Sequence, residues 1–132
     1  MLPRLLLDTH IVVRWLTDTR KLSREQTRVL ESAVRRTEPI GLSAISLLEI
    51  AVLGSAGRLG LKVALEELFE DLQSPVFQIL PLTCEVAAEV DLLGNLRDPA
   101  DRAIVATARI ERLRLVTSDQ RIIESKLVPV VV

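Results

Sequence analysis

The chain has 132 residues, of which 48% are hydrophobic and 27% are charged, and its mean hydropathy is +0.32. This composition argues against a disordered chain and predicts a single domain over residues 1–132 with a substantial hydrophobic core. The formal net charge of −1 and the aromatic content of 2% argue against a nucleic-acid binder that depends on a global positive field or on base stacking.

No segment has the pattern of an export signal or a membrane span. The aliphatic run that follows Arg4 ends at Asp8, which is too short for a signal peptide, and no uncharged stretch reaches transmembrane length. Cys84 is the single cysteine, so an intrachain disulfide is excluded. We therefore expect a cytoplasmic protein that does not bind membranes.

The first half of the chain alternates aliphatic runs with helical patterns. The predicted elements are a strand over 4–8, helices over 9–16 and 23–36, a strand over 39–44 and a helix over 43–54. Ser23 and Gln26 form a capping-box pair at the start of the second helix. Ser43 is the predicted cap of the third helix and Gly54 its predicted stop.

The second half continues this alternation. The predicted elements are an amphipathic helix over 61–73, a strand over 77–82, a helix over 84–96, a helix from 98, a strand over 112–119, a short helix over 120–126 and a strand over 128–132. Pro81 ends the strand over 77–82, and Thr83 caps the helix over 84–96. Strands that alternate with helices predict an α/β sandwich with a mostly parallel central sheet.

Three aspartates fall where a parallel sheet binds its ligands. Asp8 follows the first strand, and Asp119 follows the strand LRLVTS. Asp98 and Pro99 are a cap and a first helical residue, which places Asp101 in the first turn of that helix. Because helix starts and strand ends meet at the same edge of an alternating fold, we expect three carboxylates on one rim.

Glu49 is the single charged residue in an otherwise aliphatic helical segment, 44–53. A buried, unpaired carboxylate costs several kcal/mol, so it needs a partner. A surface glutamate, or a glutamate paired with an internal arginine, explains Glu49 equally well when it is taken alone. With three aspartates expected nearby, a divalent cation offsets the combined negative charge better than one arginine.

The predicted ligand set favours a hard cation. All of the candidates are carboxylates, and the chain lacks the cysteine and histidine pairs that zinc sites use. Oxygen ligands suit Mg²⁺ or Mn²⁺, which bridge carboxylates to phosphates. A carboxylate cluster that holds such ions is typical of phosphodiester hydrolysis, and the cation allows an acidic rim to bind a polyanion.

Four segments resemble the motifs of one protein family in their order and spacing. They are LLLDTHIVVRWL at 5–16, SAISLLEIAVLGSAGRL at 43–59, DPADRAIVATA at 98–108 and LVTSDQRI at 115–122. The chain resembles PIN-domain proteins, and most of all the VapC-type ribonuclease toxins of bacterial type II toxin–antitoxin modules. The resemblance covers essentially the whole chain and implies a PIN-like three-layer α/β/α sandwich.

The resemblance implies an endoribonuclease that depends on Mg²⁺ or Mn²⁺. Its catalytic and metal-binding acidic quartet falls on Asp8, Glu49, Asp101 and Asp119, where the third acid is the aspartate followed by RAIVA. Asp98 then caps the helix, and at most it contacts the metal-binding residues without binding the metal itself. The same supporting role is predicted for two polar residues beside the fourth acid, Thr117 and Ser118.

The resemblance also implies three partners. They are an RNA substrate, a small cognate antitoxin that blocks the acidic pocket, and a second copy of the chain. The helical patterns over 43–54 and 61–72 support the homodimer independently, because they carry more aliphatic surface than one small sheet covers.

Two functions from other classes remain open at this point. The first is a phosphatase that forms an aspartyl phosphate on Asp8, although haloacid-dehalogenase-like phosphatases have a second aspartate where this chain has His10. The second is a non-catalytic PIN-fold interaction module, against which the presence of all four acids argues. Metal titration and RNA cleavage distinguish these functions.

Overall fold

The computed structural model describes residues 2–57 and 63–132, in which five strands form one sheet. The strands are β1 (Leu5–Leu7), β2 (Ile40–Ser43), β3 (Phe77–Leu80), β4 (Arg114–Val116) and β5 (Val130–Val131). Their spatial order is β3-β2-β1-β4-β5, and every neighbouring pair is parallel. The prediction of an α/β fold with a mostly parallel sheet is confirmed.

Helices cover both faces of this sheet. They are α1 (Thr9–Thr17), α2 (Arg24–Arg35), α3 (Ala44–Ser55), α4 (Leu65–Leu72), α5 (Cys84–Asp91), α6 (Pro99–Glu111) and α7 (Gln120–Ser125). The buried residues of α1 to α4 share one hydrophobic cluster, and those of α5, α6 and α7 belong to a second cluster. The fold is therefore a three-layer α/β/α sandwich, as the resemblance implied.

The two hydrophobic clusters lie on opposite faces of β1. Leu7 belongs to the cluster under α1 to α4, whereas Leu6 belongs to the cluster under α6, and both are fully buried. Alternate side chains of a strand point to opposite faces, so a strand covered on both sides must be apolar throughout. This requirement explains the uninterrupted leucine run.

Capping residues fix where several helices begin. Ser23 Oγ accepts a hydrogen bond from the Gln26 N–H, and Gln26 Oε1 accepts one from the Ser23 N–H, each at 3.0 Å. This is the predicted capping box of α2. Ser43 caps α3 by accepting the Ile45 N–H at 3.2 Å, as predicted.

The end of α3 differs slightly from the prediction. The helix passes the expected stop at Gly54 and ends at Ser55, and Gly57 adopts the left-handed backbone with φ +68°. A Cβ atom at Gly54 would lie 3.2 Å from Leu65 Cδ1 of α4. Gly54 therefore allows two helices to pack closely, and the left-handed residue after the helix is Gly57.

Two predicted helices are longer than the observed ones. The pattern over 61–73 yields α4 from Leu65, and residues 61–62 of that prediction lie outside the described residues. The helix predicted over 84–96 ends at Asp91, after which turns bury Leu93 and Leu96. In the described part of the chain, no helix is long and apolar enough to cross a membrane.

The strand order places a crevice between β1 and β4. β2 and β3 lie on one side of β1, and the chain then crosses back to place β4 on its other side. Ligands of such open sheets bind beyond the carboxyl ends of the strands where the order reverses. The Asp8 N–H donates to the Val116 carbonyl at 3.0 Å, so the residues that follow β1 and β4 meet at this crevice.

Candidate metal centre

Asp8 lies at the carboxyl end of β1 and is buried, with 3% of its surface exposed. Its Oδ1 accepts the Thr9 N–H at 2.8 Å and caps α1. Its Oδ2 accepts the Thr117 hydroxyl at 2.7 Å. Both oxygens are thus held in fixed directions, one by the first residue of α1 and the other by the residue that follows β4.

Thr117 connects Asp8 to the fourth predicted acid. The Asp119 N–H donates to Thr117 Oγ1 at 3.0 Å, and the same hydroxyl donates its own proton to Asp8. Asp119 caps α7 by accepting the Arg121 N–H at 2.9 Å. One fully buried hydroxyl therefore links the residues that follow β1 and β4.

Glu49 reaches the same end of the sheet from α3. The Thr9 hydroxyl donates to Glu49 Oε1, and Thr9 Oγ1 also lies 2.9 Å from Ser46 Oγ, one turn earlier on α3. The pKa of Glu49 is raised, first by burial and then by the charges of Asp8 and Asp98, although the Thr9 hydrogen bond opposes the shift. Glu49 is partly buried beside other carboxylates.

Asp101 is placed by the start of α6. Asp98 is the N-cap, and its Oδ1 accepts the N–H groups of Ala100 at 2.8 Å and of Asp101 at 3.3 Å. Pro99 occupies the first helical position, where a missing N–H costs nothing. The predicted capping role of Asp98 is thus observed. The start of α6 places Asp101 at the same end of the sheet as Asp8, Glu49 and Asp119, and these four residues are called the acidic rim below.

The environment of Asp101 raises its pKa to about 7. Burial is the largest cause, followed by the charges of Asp8, Asp98, Asp119 and Glu49. Each of these contributions favours the protonated form, because a second negative charge nearby and a loss of solvent both penalise ionisation. The charges of Asp8, Glu49, Asp98 and Asp119 therefore lie close enough to Asp101 to oppose its ionisation.

Arg121 contacts two of these acids. Its Nη2 lies 3.4 Å from Asp119 Oδ2 and 3.9 Å from Asp101 Oδ2. The Arg121 side chain is 76% exposed, so solvent screens its attraction. Among the described residues, Arg121 thus offsets only part of the negative charge of the four acids.

The residue types at the rim fit a hard divalent cation. The donors are carboxylate oxygens, which are the ligands of Mg²⁺ and Mn²⁺, and an added cation would relieve their repulsion. Over residues 2–57 and 63–132, no three acidic, histidine or cysteine side chains already surround a common point suitable for an ion. The rim is therefore an open arrangement of donors, and the metal-binding roles of the four acids stay predictions.

Two residues that support the rim were not predicted from the sequence. Buried Gln26 donates from Nε2 to the Thr117 carbonyl at 3.3 Å and to Ser118 Oγ at 3.0 Å, in addition to its capping bond. His10 Nε2 accepts the Ser118 N–H at 3.0 Å, and burial lowers the pKa of His10 against the opposing charge of Asp8. Both side chains hold the loop after β4, in which Ser118 is exposed.

Comparison with known families decides where the chain belongs. The model of the PIN domain matches residues 5–126, which include all four predicted acids. The chain belongs to the PIN-domain family. The resemblance inferred from the four motifs is confirmed.

Similar proteins place this PIN domain among the VapC-type proteins. Ribonuclease VapC22 of Mycobacterium tuberculosis is 33% identical over 119 residues, which cover 89% of this chain and 88% of that protein. A toxin–antitoxin complex from Klebsiella pneumoniae shares the fold, with a TM-score of 0.66, 21% identity, and coverage of 96% of this chain and 95% of that chain. VapBC2 from Rickettsia felis, solved with a promoter DNA fragment, has a TM-score of 0.70, 18% identity and 96% coverage of both chains.

Proposed function

We propose that this PIN domain is a Mg²⁺- or Mn²⁺-dependent endoribonuclease and the toxin of a type II toxin–antitoxin module. The observation that carries the proposal is the convergence of four carboxylates from distant parts of the chain: Thr9 contacts both Asp8 and Glu49, Thr117 contacts Asp8 and Asp119, and Arg121 lies near Asp119 and Asp101. Such a concentration of negative charge is costly to a fold and is useful to a metal site. Membership of the VapC-type proteins supports the same activity.

The chain's own residues orient the acids for this chemistry. Thr117 and the Thr9 N–H aim Asp8, and the Thr9 hydroxyl aims Glu49. Asp8 and Asp101 would be the main ligands, with Glu49 and Asp119 completing the site. When bound, a Mg²⁺ or Mn²⁺ ion supplies Lewis-acid stabilisation of the phosphodiester and lowers the pKa of an attacking water.

The reaction is hydrolysis of an RNA phosphodiester. A water oxygen forms a bond to phosphorus, one P–O ester bond breaks, and the leaving alkoxide takes up a proton. One proton of the water passes to a carboxylate of the rim or to solvent, and solvent supplies the proton that the alkoxide takes up. His10 already accepts the Ser118 N–H through Nε2. We therefore assign no proton transfer to His10.

RNA cleavage with controlled metal tests the proposed function. Purified protein should cleave RNA in Mn²⁺, lose the activity in excess chelator and regain it when Mn²⁺ is restored. Turnover of small phosphomonoesters without RNA cleavage would instead support the aspartyl-phosphate alternative. The absence of both activities would support an interaction module.

We further propose that a small antitoxin covers the acidic rim. The related fold from Klebsiella pneumoniae was solved as a toxin–antitoxin complex. An antitoxin that places a cationic side chain between the carboxylates would lower their repulsion and exclude both metal and RNA. Co-expression with the protein of a neighbouring small reading frame should abolish the RNA cleavage.

The proposed homodimer has a specific candidate surface. Leu48 and Val52 lie one turn apart on α3 and are 59% and 58% exposed. Two large aliphatic side chains on one face are unfavourable in water and typical of an interface. We expect Leu48→Lys with Val52→Lys to convert a dimer to a monomer, as measured by light scattering. Leu92→Lys, at a residue that is 73% exposed, is the control and should leave the dimer mass unchanged.

A further inference from the structure

Helix α2 runs from the acidic rim, at the carboxyl ends of the strands, to the amino ends of the strands. At its start, Ser23 Oγ donates to the Val132 carbonyl at 3.1 Å, and Gln26 contacts the loop that follows β4. At its other end, Arg36 forms an ion pair with Glu38, two residues before β2. The outer surface of α2 is therefore a continuous path between the carboxyl and amino ends of the strands.

Arginines line this path in two clefts that share Arg28. The cleft nearer the start of α2 has a volume of about 350 Å³ and contains Arg24, Arg28 and Arg35. The other cleft lies at the amino ends of β1 and β4 and has a volume of about 300 Å³. Its cationic side chains are those of Arg4, Arg28, Arg36 and Arg114.

The path carries a surplus of positive charge. Its six arginines face three glutamates, Glu25, Glu31 and Glu38, which leaves a surplus of three in a chain whose net charge is −1. Glu38 is buried and pairs with Arg4 at 3.7 Å and with Arg36 at 3.4 Å. Among the described residues, Arg24, Arg35 and Arg114 form no ion pair.

We infer that this arginine path along α2 binds the phosphodiester backbone of the RNA substrate and guides it away from the acidic rim. The inference rests on the proposed ribonuclease function. The rim repels RNA except where a cation is bound, so affinity for a longer strand has to come from a separate cationic surface. A guanidinium group matches a phosphate with two parallel hydrogen bonds and does not read sequence.

The length and composition of the path fit a nucleic-acid backbone better than a polypeptide. The 12 residues of α2 span about 18 Å, enough for several consecutive phosphates. None of the exposed large apolar side chains of the described residues lines either cleft. A docked polypeptide is usually anchored by such side chains, whereas a phosphate backbone needs only charge.

Arg24→Gln with Arg35→Gln tests the inference, because both side chains lie on the path and neither forms an ion pair with a described residue. For a single-stranded RNA of about 16 nucleotides, we expect KM to rise about tenfold and kcat to stay unchanged. The salt dependence of kcat/KM should become shallower by about one to two in log–log slope. Cleavage of an RNA of about four nucleotides, which covers only the rim, should be unaffected.

Matched variants separate the path from general charge. Arg112→Gln with Lys126→Gln removes two exposed positive charges elsewhere and should behave as wild type. Arg24→Lys with Arg35→Lys should restore the salt slope, because charge is what the path supplies. Thermal midpoints of all the variants should match, which excludes a loss of fold as the cause.

The other outcomes are equally specific. If wild type cleaves RNA and the Arg24→Gln/Arg35→Gln variant has the same KM and salt slope, this inference is wrong. If duplex DNA competes with RNA on wild type and loses that competition only in the variant, while RNA kinetics stay equal, the path binds DNA. If wild type cleaves no RNA at all, the proposed function itself fails, and the assignment of the path to RNA fails with it.

Discussion

Asp101→Asn is expected to lower Mn²⁺-dependent RNA cleavage by several orders of magnitude while the fold is retained. The substitution keeps the shape of the side chain and a good residue for a helix start, but it removes one unit of negative charge from the rim. Lewis-acid stabilisation is worth several kcal/mol, and each 1.36 kcal/mol changes a rate about tenfold. Initial rates on a labelled RNA measure the effect.

Asp98→Asn is the matched control for this experiment. Asp98 is exposed and holds the N–H groups of Ala100 and Asp101 through one oxygen, which an asparagine also offers. A mild loss of stability, at most about 1 kcal/mol, and nearly normal cleavage are expected. Equal cleavage by wild type and Asp101→Asn, with contaminating nucleases excluded, would contradict the assignment of Asp101 to the metal site.

The metal-free protein should lose stability as the pH rises from about 4 to about 7. The pKa of Asp101 is about 7 in the folded state and 3.8 ordinarily, so across this interval the unfolded chain ionises while the folded state keeps its proton. The folded state then binds more protons, and its stability falls until it levels off above about pH 7. At 1.36 kcal/mol per pKa unit, the fall is at most about 4 kcal/mol.

The difference between wild type and Asp101→Asn isolates this effect. Burial lowers the pKa of His10, and a lowered histidine pKa destabilises the folded state at low pH, with the opposite sign. Both proteins share that contribution, so it cancels in the difference. Without metal, Asp101→Asn should therefore be the more stable protein at neutral pH and should show the flatter pH profile in chemical denaturation.

Mn²⁺ should reverse the loss of stability at neutral pH. An ion that binds only the folded state adds about 2.7 kcal/mol when its concentration is one hundred times its dissociation constant. We expect the thermal midpoint of wild type to rise in millimolar Mn²⁺, and that of Asp101→Asn to rise much less. A wild-type thermal midpoint that does not change in millimolar Mn²⁺ would contradict a metal site at the rim.

Local patterns explain why much of the fold was predictable. The capping box of Ser23 and Gln26 and the leucine run of β1 are set by neighbours in the sequence and by the burial of both sheet faces. Residues that follow parallel strands share one edge, which is why Asp8 and Asp119 were expected together. The cap, the leucine strand and the shared location of Asp8 and Asp119 could all be predicted without knowing the order of the strands.

Contacts between distant segments could not be predicted in the same way. Gln26 was recognised as part of a cap, but its bonds to Thr117 and Ser118 cross more than 90 residues and depend on how α2 lies against β4. The role of Gly54 depends on the approach of α4, so a pattern that usually ends a helix was misleading. The arginine path likewise depends on contacts between distant segments, because strand pairing places Arg4 beside Arg114 and helix packing places both next to α2.

Anomalous diffraction from crystals grown with Mn²⁺ tests the metal site most directly. Data collected at the manganese absorption edge locate the ion without reference to activity. The predicted result is an anomalous peak at the rim in contact with carboxylate oxygens of Asp8 and Asp101. A protein that cleaves RNA in the same Mn²⁺ concentration but shows no peak there, or shows its peak elsewhere, would contradict the proposed metal centre.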